Sequence, residues 1–103
     1  MAVYYTYMTV CSDGTLYTGF TDDLVRRMRT HNSGRGAKYT RSRLPVRLVY
    51  WEKYGSKRQA MQREYAIKQW SRQQKLQLLS PQQRQQILAE KKRNEHAADA
   101  ERL

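Results

Sequence analysis

The sequence predicts a small α+β fold: a three-stranded, mainly antiparallel sheet flanked by helices, with an extra helix at the C-terminus. Three observations predict it. A chain of 103 residues fills one modest core and not two. Two runs rich in Val, Tyr and Thr, residues 3–11 and 16–20, are joined by Ser12-Asp13-Gly14-Thr15, the composition of a β-hairpin. Beyond them, runs with helical starts and stops surround one further strand-like stretch. These patterns leave the strand order open.

The elements follow in chain order. After the hairpin, Thr21, Asp22 and Asp23 supply an N-cap and first-turn acids for a helix over Leu24 to Asn32. Leu24 and Met28 would point to the core, with Gly34 and Gly36 ending the helix. Ser33 to Leu44 reads as a glycine-rich, basic loop. Pro45 opens a third strand, Val46 to Tyr54, in which Val46, Leu48 and Tyr50 alternate with Arg47 and Val49. Gly55 and Ser56 break that strand, and Ser56 caps a helix expected to reach Trp70. A shorter helix covers Arg72 to Leu79, and Ser80-Pro81 starts a last one toward Lys92. The final ten residues are charged or small and are expected to fray. The chain thus divides into a main domain over residues 1–80 and a C-terminal helix with a charged tail over residues 81–103.

Charge narrows the partner. The net charge is +11, from 20 Lys and Arg against 9 Asp and Glu. No acid lies between Asp23 and Glu52, while Arg26, Arg27, Arg29, Arg35, Lys38, Arg41, Arg43 and Arg47 all do. Arginine's planar fork suits phosphate oxygens, so nucleic acid is the expected partner, against the alternative of a solvated basic surface. No long apolar run offers a membrane span, so no membrane partner is expected. Cys11, the single cysteine, is read as a packing residue of the first strand; with no partner for an intrachain disulfide, it suits a reducing compartment. A strand-like run from Val3 leaves no recognisable signal peptide, and a cytoplasmic location with access to the nucleoid is expected.

Glu64 is the only acid between Lys53 and Ala89. On its helix it falls beside Ala60 and Ile67, with Met61 to one side, so its carboxylate faces the core or a cleft. Desolvation there calls for a compensating cation. That cation is either Lys68, four residues on, or a nearby arginine, or a hard divalent ion that keeps much of its water. Arg27 and His31, also four apart, share one helix face.

Tyr5-Thr6-Tyr7 and Tyr17-Thr18-Gly19 on the two hairpin strands, then Arg27, His31 and Glu64, form an ordered set. With Gly36-Ala37-Lys38-Tyr39-Thr40-Arg41 and Arg63-Glu64-Tyr65-Ala66-Ile67-Lys68, this set resembles the GIY-YIG nuclease superfamily over residues 4–80, and most of all its small stand-alone bacterial branch. The resemblance implies the fold stated above and hydrolysis of DNA phosphodiester bonds dependent on Mg²⁺ or Mn²⁺, in DNA repair or processing. It assigns Glu64 as the metal ligand, Tyr17 near the attacking water, Tyr7 as its orienting partner, and Arg27 to the scissile phosphate. His31 is expected to share proton transfer, since only histidine titrates unperturbed near neutrality; the alternative is a cation at a helix C-terminus. Arg26, Arg35, Lys38, Tyr39, Arg41, Arg43 and Lys68 are expected to bind substrate, and His96 is expected to be inert.

The sequence departs from the pattern in three places. Tyr5 and Thr6 replace Gly and Ile, Thr18 replaces Ile, and the asparagine common after the glutamate is missing from a stretch holding Ser71, Gln73, Gln74 and Gln77; the next is Asn94. With almost no appended domain to choose a target, cleavage is expected to be structure-selective or nonspecific. Two alternatives stay open: a non-catalytic module that binds DNA or RNA on the same fold, and an interaction protein whose C-terminal helix docks a protein partner through Leu79, Ile87 and Leu88.

Overall fold

The computed structural model describes residues 2–90. Three strands, β1 (Tyr4–Val10), β2 (Leu16–Thr21) and β3 (Arg47–Tyr54), form one antiparallel sheet in the order β2-β1-β3. The hairpin turn is fixed locally: Gly14 takes φ 82°, and the Asp13 carboxylate accepts from the Thr15 amide at 3.1 Å. Cys11 is buried, but it lies one residue past β1.

Helix α1 (Leu24–Thr30) starts where the Asp23 side chain accepts from the Arg26 amide at 3.1 Å. It is shorter than the sequence predicts. At His31 the chain widens into a π-type turn, His31–Arg35, in which Gly34 takes φ 82°, and then forms a one-turn helix α2 (Lys38–Arg41). The segment expected to be a loop, Ser33 to Leu44, therefore carries one helical turn, α2, after a π-type turn whose backbone leaves helical angles at Gly34. Leu24 and Met28 are only half-buried, and within the expected helix, Leu24 to Asn32, the buried residue is His31.

Helix α3 (Lys57–Lys68) is capped by Ser56, and α4 (Arg72–Leu76) by a reciprocal pair in which Ser71 and Gln74 each bond the other's backbone amide. Both end two or three residues earlier than expected. A last helix, α5, covers residues 81–90 as described, with Ser80 accepting from the Gln83 amide at 3.2 Å. The expectations for Lys92, the frayed tail and His96 lie outside the described residues.

Residues paired across antiparallel strands share a face. Thr6, Met8 and Val10 face α3, and Thr6 Oγ1 donates to the Ala60 carbonyl at 2.7 Å. Met8, Val10, Leu16, Val49, Ile67, Leu76, Leu79 and Ile87 form the core. The expected alternation along β3 fails at Val49. A bulge opposite Met8 and Thr9 pairs Leu48 with Thr9 and Tyr50 with Met8, so Leu48 and Tyr50 face opposite ways and Val49 is buried. Leu79 and Ile87 sit in the core as well, leaving Leu88 as the exposed member of that stripe. Glu52 pins α3 to the sheet: Arg63 donates to both its carboxylate oxygens, at 2.8 and 3.1 Å, and the Tyr50 and Tyr54 hydroxyls donate to it too.

Candidate active site

The opposite face of the sheet carries Tyr7, whose cross-strand partner on β2 is Gly19. A Cβ at Gly19 would stand 2.6 Å from Tyr7 Oη and 2.7 Å from Cζ, so the bare glycine is what leaves room for the ring. Arg27 and His31 approach Tyr7 from α1 and the turn after it. Arg27 Nε donates to Tyr7 Oη at 3.2 Å, and Oη lies 2.8 Å from His31 Nε2. On the far side of the ring, His31 Nδ1 lies 2.9 Å from Thr40 Oγ1, and that hydroxyl donates to the Ala37 carbonyl at 2.9 Å. Tyr7, His31 and Thr40 are all fully buried. Gly36 serves this packing, since a Cβ there would stand 2.5 Å from His31 Nδ1.

Tyr17, half-buried, forms the mouth. Its ring meets His31 edge-on at 5.3 Å between centroids and lies 6.4 Å from the Tyr7 ring. Tyr39 stacks on Tyr17 at 6.2 Å, Arg43 lies 4.1 Å over Tyr39, and Lys68 Nζ is 5.7 Å from the Tyr17 ring. Glu64 reaches the same region from α3. Its side chain is 19 % exposed and forms an ion pair with Lys68 at 3.6 Å, as one of the sequence alternatives held.

The charges follow from burial. Desolvation pushes the Tyr7 phenol up to about 12; Arg27 pulls the other way, while Tyr17 and Glu64 add to the rise. Burial also lowers His31 to about 4, and the Arg27 charge assists. Burial works against Arg27 itself, but Tyr7 and Tyr17 outweigh it and hold the guanidinium above its ordinary value. Near neutral pH, then, a neutral phenol–imidazole pair stands beside a fixed positive charge. Full burial, with Tyr7 and Thr40 at its two ring nitrogens, runs against the reading of His31 as a helix-end cation.

The remaining basic residues scatter. Arg26 pairs with Asp22 at 2.8 Å on the exposed side of α1, and Arg43 pairs with Asp13 at 3.0 Å. Arg41 Nε donates to the Gly36 carbonyl at 3.2 Å. Arg35 and Lys38 are exposed and carry no ion pair among the described residues. Of the seven expected substrate contacts, Tyr39, Arg43 and Lys68 gather around Tyr17. Sequence reasoning missed Gly19, Gly36 and Thr40 as parts of the site. A glycine inside a strand is a signal of close approach that Gly19 did offer.

No group of three or more His, Cys, Asp or Glu residues that could hold a metal is present among the described residues. Glu64 is a hard oxygen donor with a long, half-exposed ion pair, and it fits a Mg²⁺ or Mn²⁺ ion held by one carboxylate and water. Among the described residues, no helix is long and apolar enough to cross a membrane.

A family model described as the GIY-YIG catalytic domain matches residues 3–77. The chain belongs to the GIY-YIG family. It is 54 % identical over 79 residues to a UPF0213 protein of Staphylococcus haemolyticus, covering 77 % of this chain and 96 % of that one. A UPF0213 protein of Streptococcus agalactiae is 60 % identical over 72 residues, covering 70 % and 82 %. Among solved structures, the solution NMR structure of a UPF0213 protein from Bacillus halodurans aligns with a TM-score of 0.51 at 45 % identity, covering 81 % of this chain and 93 % of that one. The two triplets of the GIY-YIG name fall on β1 and β2, with Tyr7 and Tyr17 on one face of the sheet. In the stretch after Glu64, Ser71 and Gln74 are engaged in the α4 cap.

Proposed function

We propose that the protein is a divalent-cation-dependent nuclease that hydrolyses DNA phosphodiester bonds, selecting structure or cutting nonspecifically, in DNA repair or processing. One observation carries the reading: the hydrogen-bonded line Arg27–Tyr7–His31 is sealed behind Tyr17, with a lone carboxylate, Glu64, alongside. Tyr17 is the half-exposed phenol, so it is the one that meets a water. The Tyr17 hydroxyl gives its hydrogen to solvent and takes a proton from the water as the water oxygen bonds to phosphorus; the opposite P–O bond breaks, and the leaving oxygen takes a proton from solvent. Arg27 takes the charge that develops on the phosphate, and the buried Tyr7 hydroxyl holds the guanidinium in place from behind. A Mg²⁺ or Mn²⁺ ion on Glu64, when bound, supplies Lewis-acid polarisation of the phosphate. Tyr39, Arg43 and Lys68 hold the flanking strand at the mouth, with Arg26, Arg35, Lys38 and Arg41 as more distant phosphate contacts. The main domain, residues 1–80, holds every one of these groups. The proposed setting is the cytoplasm, within reach of the nucleoid.

The test is incubation of labelled single-stranded, duplex and branched DNA with Mg²⁺, Mn²⁺ or EDTA, beside Glu64→Ala. The expected result is metal-dependent cleavage that disappears in the variant. The thermal midpoint should hardly move, because a half-exposed i,i+4 ion pair contributes about 0.5 kcal/mol or less. The high net charge of +11 favours one second reading, a nucleic-acid grip without catalysis. Salt-sensitive binding without cleavage by either protein would establish that reading and remove the enzyme.

A further inference from the structure

The line of hydrogen bonds through His31 can be assigned a direction from both ends. Tyr7 Oη has two partners among the described residues, Arg27 Nε and His31 Nε2. A guanidinium only donates, so the phenol's own hydrogen can go only to His31 Nε2. Nε2 must therefore be bare, and a neutral imidazole then carries its hydrogen on Nδ1. The other end agrees. Thr40 Oγ1 donates its one hydrogen to the Ala37 carbonyl at 2.9 Å, leaving its oxygen to accept from Nδ1 at 2.9 Å. The reverse orientation leaves the hydrogen of a fully buried tyrosine without an acceptor, a cost of about 1–3 kcal/mol.

We infer that Thr40 is a positioning residue: its buried hydroxyl holds His31 in the Nδ1–H tautomer, which keeps Nε2 open as the acceptor for the Tyr7 proton. Every hydrogen in the series Arg27, Tyr7, His31, Thr40 and Ala37 then points the same way. The backbone of α2 sets the last link, because the Ala37 carbonyl also accepts the Thr40 amide at 3.1 Å and so fixes where the hydroxyl can turn. Gly36 completes the seat by letting the backbone close on the ring. Thr40 is fully buried, so its effect passes through His31 and not through contact with substrate. Its part in turnover rests on the proposed nuclease reading; the tautomer does not.

Nitrogen-15 NMR of histidine-labelled full-length protein near pH 7 reads the tautomer directly. The chain has two histidines, and His31→Gln assigns the signals. The expected result is a pyrrole-type Nδ1 and a pyridine-type Nε2 for His31. In Thr40→Val the two nitrogens should move toward a mixed or reversed pattern, and Thr40→Ser should restore the parent spectrum. In the cleavage assay, Thr40→Val should lower kcat by up to about 100-fold with KM unchanged, the cost of a site displaced by its support. Thr40→Ser should recover most of that loss. An Nε2–H tautomer in the parent protein overturns the inference even if Thr40→Val does not fold. So does a Thr40→Val protein that keeps the parent tautomer. Absence of cleavage together with the Nδ1–H spectrum would sink the nuclease reading and leave the tautomer assignment standing.

Discussion

Replacing Gly19 by alanine isolates what the close approach of β2 to Tyr7 does. Gly19 is not at a positive φ, so the backbone accepts alanine and the effect is steric. The new methyl would stand 2.6 Å from Tyr7 Oη, 2.7 Å from Cζ and 3.0 Å from Cε1, where ordinary contact begins at 3.4 Å. The ring must therefore retreat by 3.4 − 2.6 = 0.8 Å at the hydroxyl. That hydroxyl stands 2.8 Å from His31 and 3.2 Å from Arg27, so a displacement of this size breaks or bends at least one of those bonds. Overpacking a buried site costs about 1–3 kcal/mol, a fall of about 4–20 °C in Tm for a domain of this size. Thermal unfolding measures the cost, and cleavage of DNA with Mg²⁺ measures the consequence. Loss of cleavage well below the lowered midpoint, with a folded spectrum, is the expected pair of results. A Gly19→Ala protein with parental Tm and parental activity would refute the reasoning, because the ring would then have had room to spare.

Three further outcomes follow from the same geometry. Burial holds His31 at about 4 against an ordinary 6.5, so the unfolded chain takes up that proton first, and stability present at pH 7 is lost as pH falls through this window. The full shift amounts to about 3 kcal/mol; urea unfolding between pH 6.5 and 4.5 should show most of that slope in the parent and not in His31→Gln, and equal slopes would count against it. Arg27→Lys should abolish cleavage, because the guanidinium directs Nε to Tyr7 while its terminal nitrogens stay available to phosphate, and an ammonium cannot do both; undiminished kcat in the lysine variant would remove this role. Ile87→Ala should cost about 2–5 kcal/mol in chemical denaturation, since Ile87 is fully buried in the main core, and a negligible loss would mean that α5 packs only loosely.

The parts of the fold that were legible in the sequence are those with a strict local code. The hairpin has alternating β-formers and an Asp-Gly turn, and the starts of α1, α3 and α4 have Asp23, Ser56 and Ser71 at their N-caps. What was not legible depends on distant partners. The bulge at Val49 is set by pairing with β1, and period-two reading along β3 alone cannot detect it. The turn at His31–Arg35 and the helix α2 lie in a basic stretch with no apolar period to mark them. Thr40 is a small polar residue among exposed cations, and only the fold reveals that its hydroxyl is sealed against His31. The core of the candidate site, by contrast, was visible as an ordered set of residue types, and Tyr7, Arg27 and His31 do meet.

The placement of charge gives the site its logic. Tyr7, His31 and Thr40 are fully buried, yet each is neutral and hydrogen-bonded, and burying such groups costs little. The charged groups, Arg27, Glu64 and Lys68, stay partly exposed at the rim, where water still solvates them. Burial that separates a phenol near 12 from an imidazole near 4 also prevents proton transfer between them in the free protein. On the proposed nuclease reading, an anionic phosphate beside Arg27 and Lys68 would change the charges at the rim without touching the sealed interior. The same packing that stabilises the sheet thus keeps the buried line neutral and leaves the charged groups within reach of solvent.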